Sequence, residues 1–80
     1  MKIYCCMKLD EDYRAYDITA YATYAEARNA YKNYLLSIRT KEKWEEYYIC
    51  EGCEDFEQMI DIWFGTDDYF EVHELEVTGL

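Results

Sequence analysis

The residues best suited to chemistry are Cys50 and Cys53, a C-x2-C knuckle with Gly52 in its turn, the spacing that metal and redox sites use. A structural zinc needs four ligands. The remaining candidates, Cys5, Cys6 and His73, are scattered over the first and last predicted strands. A redox pair opens a helix, where the thiolate is stabilised, and Cys53 approaches such a position. The six carboxylates from Glu45 to Glu57 would push a thiol pKa up, against that chemistry. Reduced cysteines are therefore favoured over a metal site, and a metal site over a redox pair. His73 is the only histidine, and no serine or cysteine arrangement around it points to a catalytic dyad. Asp10-Glu11-Asp12 resembles the start of a calcium loop, but the required Gly and Glu would fall on Ala15 and Tyr21. No glycine-rich phosphate loop is present. No catalytic residue, metal or cofactor is expected, and the chain does not read as an enzyme.

What stands out instead is charge. Residues 44–80 carry twelve carboxylates (Glu45, Glu46, Glu51, Glu54, Asp55, Glu57, Asp61, Asp67, Asp68, Glu71, Glu74, Glu76) and no Lys or Arg. The first 43 residues carry six acids and eight bases, so the net −10 divides into +2 and −12. A one-sign field steers association with cationic surfaces and says nothing about fold. It argues against direct contact with nucleic acid or an anionic membrane, both of which it repels. A solvated face kept acidic for solubility is the plain alternative. Mixed signs would solubilise as well, however, and unrelieved repulsion costs stability.

The elements that must position these groups follow from periodicity. Ile3, Cys5, Met7 and Leu9 alternate with Lys2, Tyr4, Cys6 and Lys8, which predicts a half-buried strand over residues 2–9. A turn at residues 9–12 leads to a second strand through Tyr16–Ala22. Thr23-x-x-Glu26 is a capping box, followed by Tyr24, Ala27, Tyr31, Tyr34, Leu35 and Ile38 at helical spacing. Lys41 and Lys43 suit the end of that helix. Residues 44–50 are aromatic enough for a third strand. Glu54–Phe64 predicts a second helix, with Phe56, Met59, Ile60, Trp63 and Phe64 on one stripe and Gly65 as its C′ residue. Tyr69–Val77 reads as a last strand with a bulge near His73–Glu74, because its apolar parity changes there. The expected fold is a single α+β domain over residues 1–80, in ββαβαβ order, with two helices on one face of a small, mainly antiparallel sheet. The opening residues lack the apolar run of a signal peptide, and no window reaches the ~20 apolar residues of a membrane span. Reduced thiols in a cytoplasm are the expectation.

Glu54, Asp55, Glu57 and Asp61 on the second helix would lie ~3.5 Å apart along its axis, near the ~3.4 Å phosphate spacing of a nucleic-acid strand. A short, proline-free, tyrosine-rich chain with such a helix and a base-free second half resembles phage and mobile-element inhibitors of bacterial defence. This class includes DNA-mimicking anti-CRISPR and anti-restriction proteins. The resemblance covers residues 44–80 by charge and the whole chain by size, and rests on composition. It implies a stoichiometric inhibitor whose twelve acids cover the basic nucleic-acid-binding surface of a Cas or restriction enzyme. The +2 front half departs from that pattern. The alternative is a regulatory adaptor or antitoxin-like domain that binds through exposed Tyr13, Tyr21, Tyr47, Tyr69, Leu36 and Ile62. The inhibitor reading requires the carboxylates to form one surface, unneutralised by Lys2, Lys8, Arg14 and Arg28. Oligomeric state and strand order are not written in the sequence.

Overall fold

A computed structural model describes residues 1–47 and 53–78 of the 80. The calls on Cys50, Glu51 and Gly52, and on the second half of the expected third strand, lie outside the described residues. The elements are β1 (Lys2–Leu9), β2 (Ala15–Tyr21), α1 (Tyr24–Ile38), α2 (Lys41–Tyr47), α3 (Phe56–Trp63) and β3 (Phe70–Glu76). The three strands form one antiparallel sheet in the order β2-β1-β3, giving the expected α+β domain.

The helix signals act as read. Thr23 caps α1, its hydroxyl oxygen accepting from the Glu26 amide at 3.2 Å, and the same hydroxyl donates to the Glu26 carboxylate at 3.1 Å. Asp55 caps α3 in the same manner, accepting from the Gln58 amide at 2.9 Å. Gly65 follows α3 at φ +90°, the left-handed backbone that glycine adopts at least cost.

Residues 44–47 correct the expected third strand over 44–50, because they are helical, and the order of the described elements is ββαααβ in place of ββαβαβ. Thr40 starts α2, its hydroxyl accepting from the Lys43 amide at 3.3 Å and its carbonyl from Trp44 N–H at 3.1 Å. The buried Trp44 ring then anchors the turn. Its indole N–H donates to the Leu35 carbonyl at 2.9 Å, and the ring meets Trp63 edge-on at 5.8 Å. One cap and one satisfied indole outweigh the strand propensity of the aromatic residues. Lys41 and Lys43 therefore belong to α2, while α1 ends at Arg39.

The sheet holds two further corrections. β3 pairs with β1 in unbroken register from Lys2↔Glu76 to Lys8↔Phe70, so it has no bulge near His73–Glu74. The irregularity lies in the β1–β2 ladder, where Lys8 pairs with Asp17 and Leu9 with Ala15, leaving Tyr16 as the extra residue. The parity change in β3 has another cause: Phe70 and Val72 face the helices at the start of the strand, whereas Leu75 faces the other side near its end, beyond Glu71 and His73. Phe70 and Val72 point to the helices, together with Tyr4 and Cys6 of β1 and Tyr21 of β2. Alternation places Ile3, Cys5, Met7, Ile18, Ala20 and Leu75 on the opposite side. The helices thus cover the side that carries Lys2 and Lys8, and leave the more continuously apolar side open. Leu9, at the end of β1, is buried all the same.

Tyr31, Phe56, Phe70, Leu35, Met59 and Ile60 are fully buried between α1, α3 and the sheet. Replacing Phe70 by Ala should cost about 3–5 kcal/mol in denaturant unfolding. Ile18→Thr, on the uncovered side, should stay within about 0.5 kcal/mol. The reverse order of costs would mean that the helices cover the other face.

Candidate protein-interaction surface

The twelve C-terminal carboxylates do not make one uninterrupted row. On α3 the front half supplies counter-charges. Arg28 donates from Nε to Asp61 at 2.6 Å and from Nη2 to Glu57 at 2.9 Å, and Lys32 reaches the other Glu57 oxygen at 2.5 Å. Lys32, then Arg28, hold the Glu57 carboxyl below its ordinary pKa. Glu45 faces Lys41 at 3.9 Å, Glu74 pairs with Lys2 at 3.0 Å, and Glu76 pairs with the N-terminal ammonium at 3.0 Å. Glu71 lies 3.1 Å from His73. Asp55 is occupied as a cap. Glu51 lies outside the described residues. Glu46, Glu54 and Asp68 are exposed and make no ion pair among the described residues.

A different set of acids converges at the far end of the sheet. Asp10 accepts from the amides of Asp12 and Arg14 at 2.9 and 3.0 Å, closing a tight hairpin loop between β1 and β2. The loop ends in Tyr13 at φ +60°, where a glycine is the usual occupant. For a bulky residue this left-handed backbone costs on the order of 1–2 kcal/mol. The Tyr13 ring lies flat against Tyr69, with centroids 5.5 Å apart and planes 4° from parallel, and both rings are exposed. That stack joins Asp10, Glu11 and Asp12 to Asp67 and Asp68 in the loop before β3. The Tyr69 hydroxyl is pushed to higher pKa by Tyr13, and further by Asp68 and Glu11. Asp67 is the inner member of the group. It accepts the buried Tyr31 hydroxyl at 2.7 Å and the Tyr69 amide at 2.8 Å.

A groove of about 860 Å³ opens between this hairpin and the end of α1. Leu9, Tyr16, Tyr34, Ile38 and Tyr69 line it, with the loop acids along one lip and Arg39 on the other. On the β3 side a second hollow runs from Asp67 and Asp68 past Tyr13 to Glu71 and His73. Glu71 and His73 pair with Met7 and Cys5 across the open sheet face. The acidic, tyrosine-rich end and the apolar face therefore form adjoining surfaces.

Comparison with family models, curated proteins and solved structures returns no match. The geometry alone carries the site. Asp10, Glu11, Asp12 and Tyr16 were outside the set of site residues expected from sequence, because they belong to the half whose charges sum to +2. The available signal was the tripeptide Asp10-Glu11-Asp12 followed by an aromatic residue in a turn. Of the tyrosines expected at the surface, Tyr13 and Tyr69 are exposed and Tyr21 is half-buried against the core, while the side chain of Tyr47 is outside the description. Leu36 and Ile62 are exposed as expected. Cys5 and Cys6 point to opposite faces, burial raises the Cys6 thiol pKa, and Cys53 packs against the core. Among the described residues no three side chains are grouped to hold a metal ion.

Burial and the Asp67 carboxylate push the Tyr31 phenol well above its usual value near 10. Above that pH the unfolded chain has lost a proton that the folded chain retains. Stability is therefore whole below about pH 10 and declines as pH rises beyond it. Denaturant midpoints measured upward from about pH 9 should show this decline, and Tyr31→Phe should reduce its slope. An unchanged slope would mean that Tyr31 titrates normally.

Proposed function

We propose that this chain is a non-enzymatic protein-binding domain whose partner presents a basic surface. The observation that carries the reading is the adjoining pair of surfaces at the hairpin end. One is a set of carboxylates around the Tyr13–Tyr69 stack, and the other is an apolar sheet face that no helix covers among the described residues. Apolar and aromatic area supplies affinity when it is desolvated, and the charges steer encounter and select the partner.

Inhibition of a nucleic-acid-binding defence enzyme is the form that the compositional resemblance suggests. The unneutralised twelve-acid surface it required is broken by Arg28, Lys32 and Lys2, so this form has to rest on the hairpin-end acids instead. In that form the cationic cleft meets the hairpin end and open face. Arg28 and Lys32 make the α3 row a poor phosphate substitute. The adaptor reading shares the same surface and gives more of the contact to Ile18 and Leu75. As part of the same proposal, the chain works in the cytoplasm with its cysteines as thiols. No helix among the described residues is long and apolar enough to cross a membrane.

The test compares two variants with equal charge change, Glu11→Lys/Asp68→Lys at the hairpin end and Glu46→Lys/Glu54→Lys elsewhere, along with Ile18→Asp. Each is used to retain partner protein from a lysate of the cell that expresses the chain. Retention should weaken as salt rises from about 50 to about 500 mM, as screened ion pairs do. The hairpin-end pair and Ile18→Asp should each lose the partner, whereas the Glu46/Glu54 pair should keep it. Retention that ignores salt and all three variants would refute the reading.

A further inference from the structure

We infer that the groove between the β1–β2 hairpin and the end of α1 takes an extended peptide segment of the partner, with an arginine side chain between apolar neighbours. The inference rests on the reading of the partner as basic and adds where it is gripped and by which residue type. The groove is first an apolar one. Leu9 is buried at its base, Ile38 is half-exposed on its wall, and the rings of Tyr16, Tyr34 and Tyr69 line the rest. The Tyr34 hydroxyl is raised in pKa by burial and then by Asp67, Tyr16 and Tyr69, so polar tips from three separate elements converge there.

Charge complementarity selects the occupant. Three carboxylates edge the groove and one guanidinium faces them. That guanidinium, of Arg39, lies over the Trp44 ring at 4.9 Å. Asp10 already accepts two backbone amides through one oxygen. Glu11 and Asp12 make no ion pair among the described residues and are the carboxylates available to a visitor. A guanidinium is favoured over an ammonium because its plane stacks on tyrosine faces while its edge meets carboxylates with paired N–H donors. Apolar neighbours in the segment would cover Leu9 and Ile38. Tyr13 acts as a positioning residue, its ring backing Tyr69 from outside the groove.

The probe is acetyl-Leu-Arg-Leu-amide, titrated into the full 80-residue chain and followed by amide chemical shifts. The control is the same peptide with citrulline, which keeps the shape and removes the charge. Shifts should concentrate at Leu9, Tyr16, Ile38 and Tyr69, with the arginine peptide bound about tenfold or more tightly than the citrulline peptide. Asp12→Asn should weaken binding several-fold. Tyr13→Asn, which suits the left-handed backbone and removes the stacking ring, should weaken it without lowering thermal stability. Equal binding of the two peptides, shifts confined to Ile18 and Leu75, or no shifts at all would overturn the inference. In those cases partner retention that still responds to salt and to Ile18→Asp would leave the protein-binding reading standing. Loss of both responses would end both.

Discussion

Tyr31 has to bury a large ring and satisfy its hydroxyl in the same place, and the position of Asp67 makes both possible. The ring packs on Phe70 at 4.9 Å and on Phe64 at 5.7 Å, and the hydroxyl donates to Asp67 at 2.7 Å. An unsatisfied buried hydroxyl would cost about 1–3 kcal/mol. This bond ties the middle of α1 to the loop that delivers β3 to the sheet. It also fixes which side of the sheet is covered, since Phe70 must face α1. Once that side is chosen, α1 and α3 are used up and Ile3, Cys5, Met7, Ile18 and Leu75 are left without a cover. The open face and the placement of the Asp67–Tyr69 loop thus share one cause.

Features fixed by local chemistry could be read directly. The Thr23–Glu26 cap, the apolar stripe of α1, the α3 stripe and Gly65 depend on residues within a few positions of one another, and each lies where the pattern put it. Features decided by distant partners could not. The strand propensity of residues 44–47 gave way to a hydrogen bond between Trp44 and Leu35, a residue of the preceding helix. The buried face of β1 was hidden because its alternation favours Ile3, Cys5 and Met7, whereas the docking of Phe70 and Val72 beside Cys6 buries the face that carries Lys2 and Lys8. The parity change in β3 looked like a bulge because its apolar residues divide between the two faces, Phe70 and Val72 on one and Leu75 on the other.

The charge asymmetry met a similar limit. A sum along the chain separates residues 1–43 from 44–80, whereas folding interleaves them. Arg28 and Lys32 cross to Glu57 and Asp61, and Lys2 crosses to Glu74. Meanwhile Asp10, Glu11 and Asp12, in the nominally positive half, join Asp67 and Asp68 through a pair of stacked rings. A group of carboxylates unpaired among the described residues, Glu11, Asp12 and Asp68, is thus shared by two loops remote in sequence, with Arg14 at the end of the first. Its placement depends on a hairpin loop that holds a tyrosine in a glycine-like conformation.

β3 is an outer strand of the sheet, and Glu71, Glu74 and Glu76 stand along it. Glu74 and Glu76 are paired with Lys2 and the N-terminal ammonium, so a second copy adding itself edge-to-edge would have to desolvate these ion pairs. Charged edges of this kind are how natural sheets avoid runaway polymerisation. A small domain with one bare apolar side is exposed to that hazard, and the charged fringe of β3 limits it along this edge.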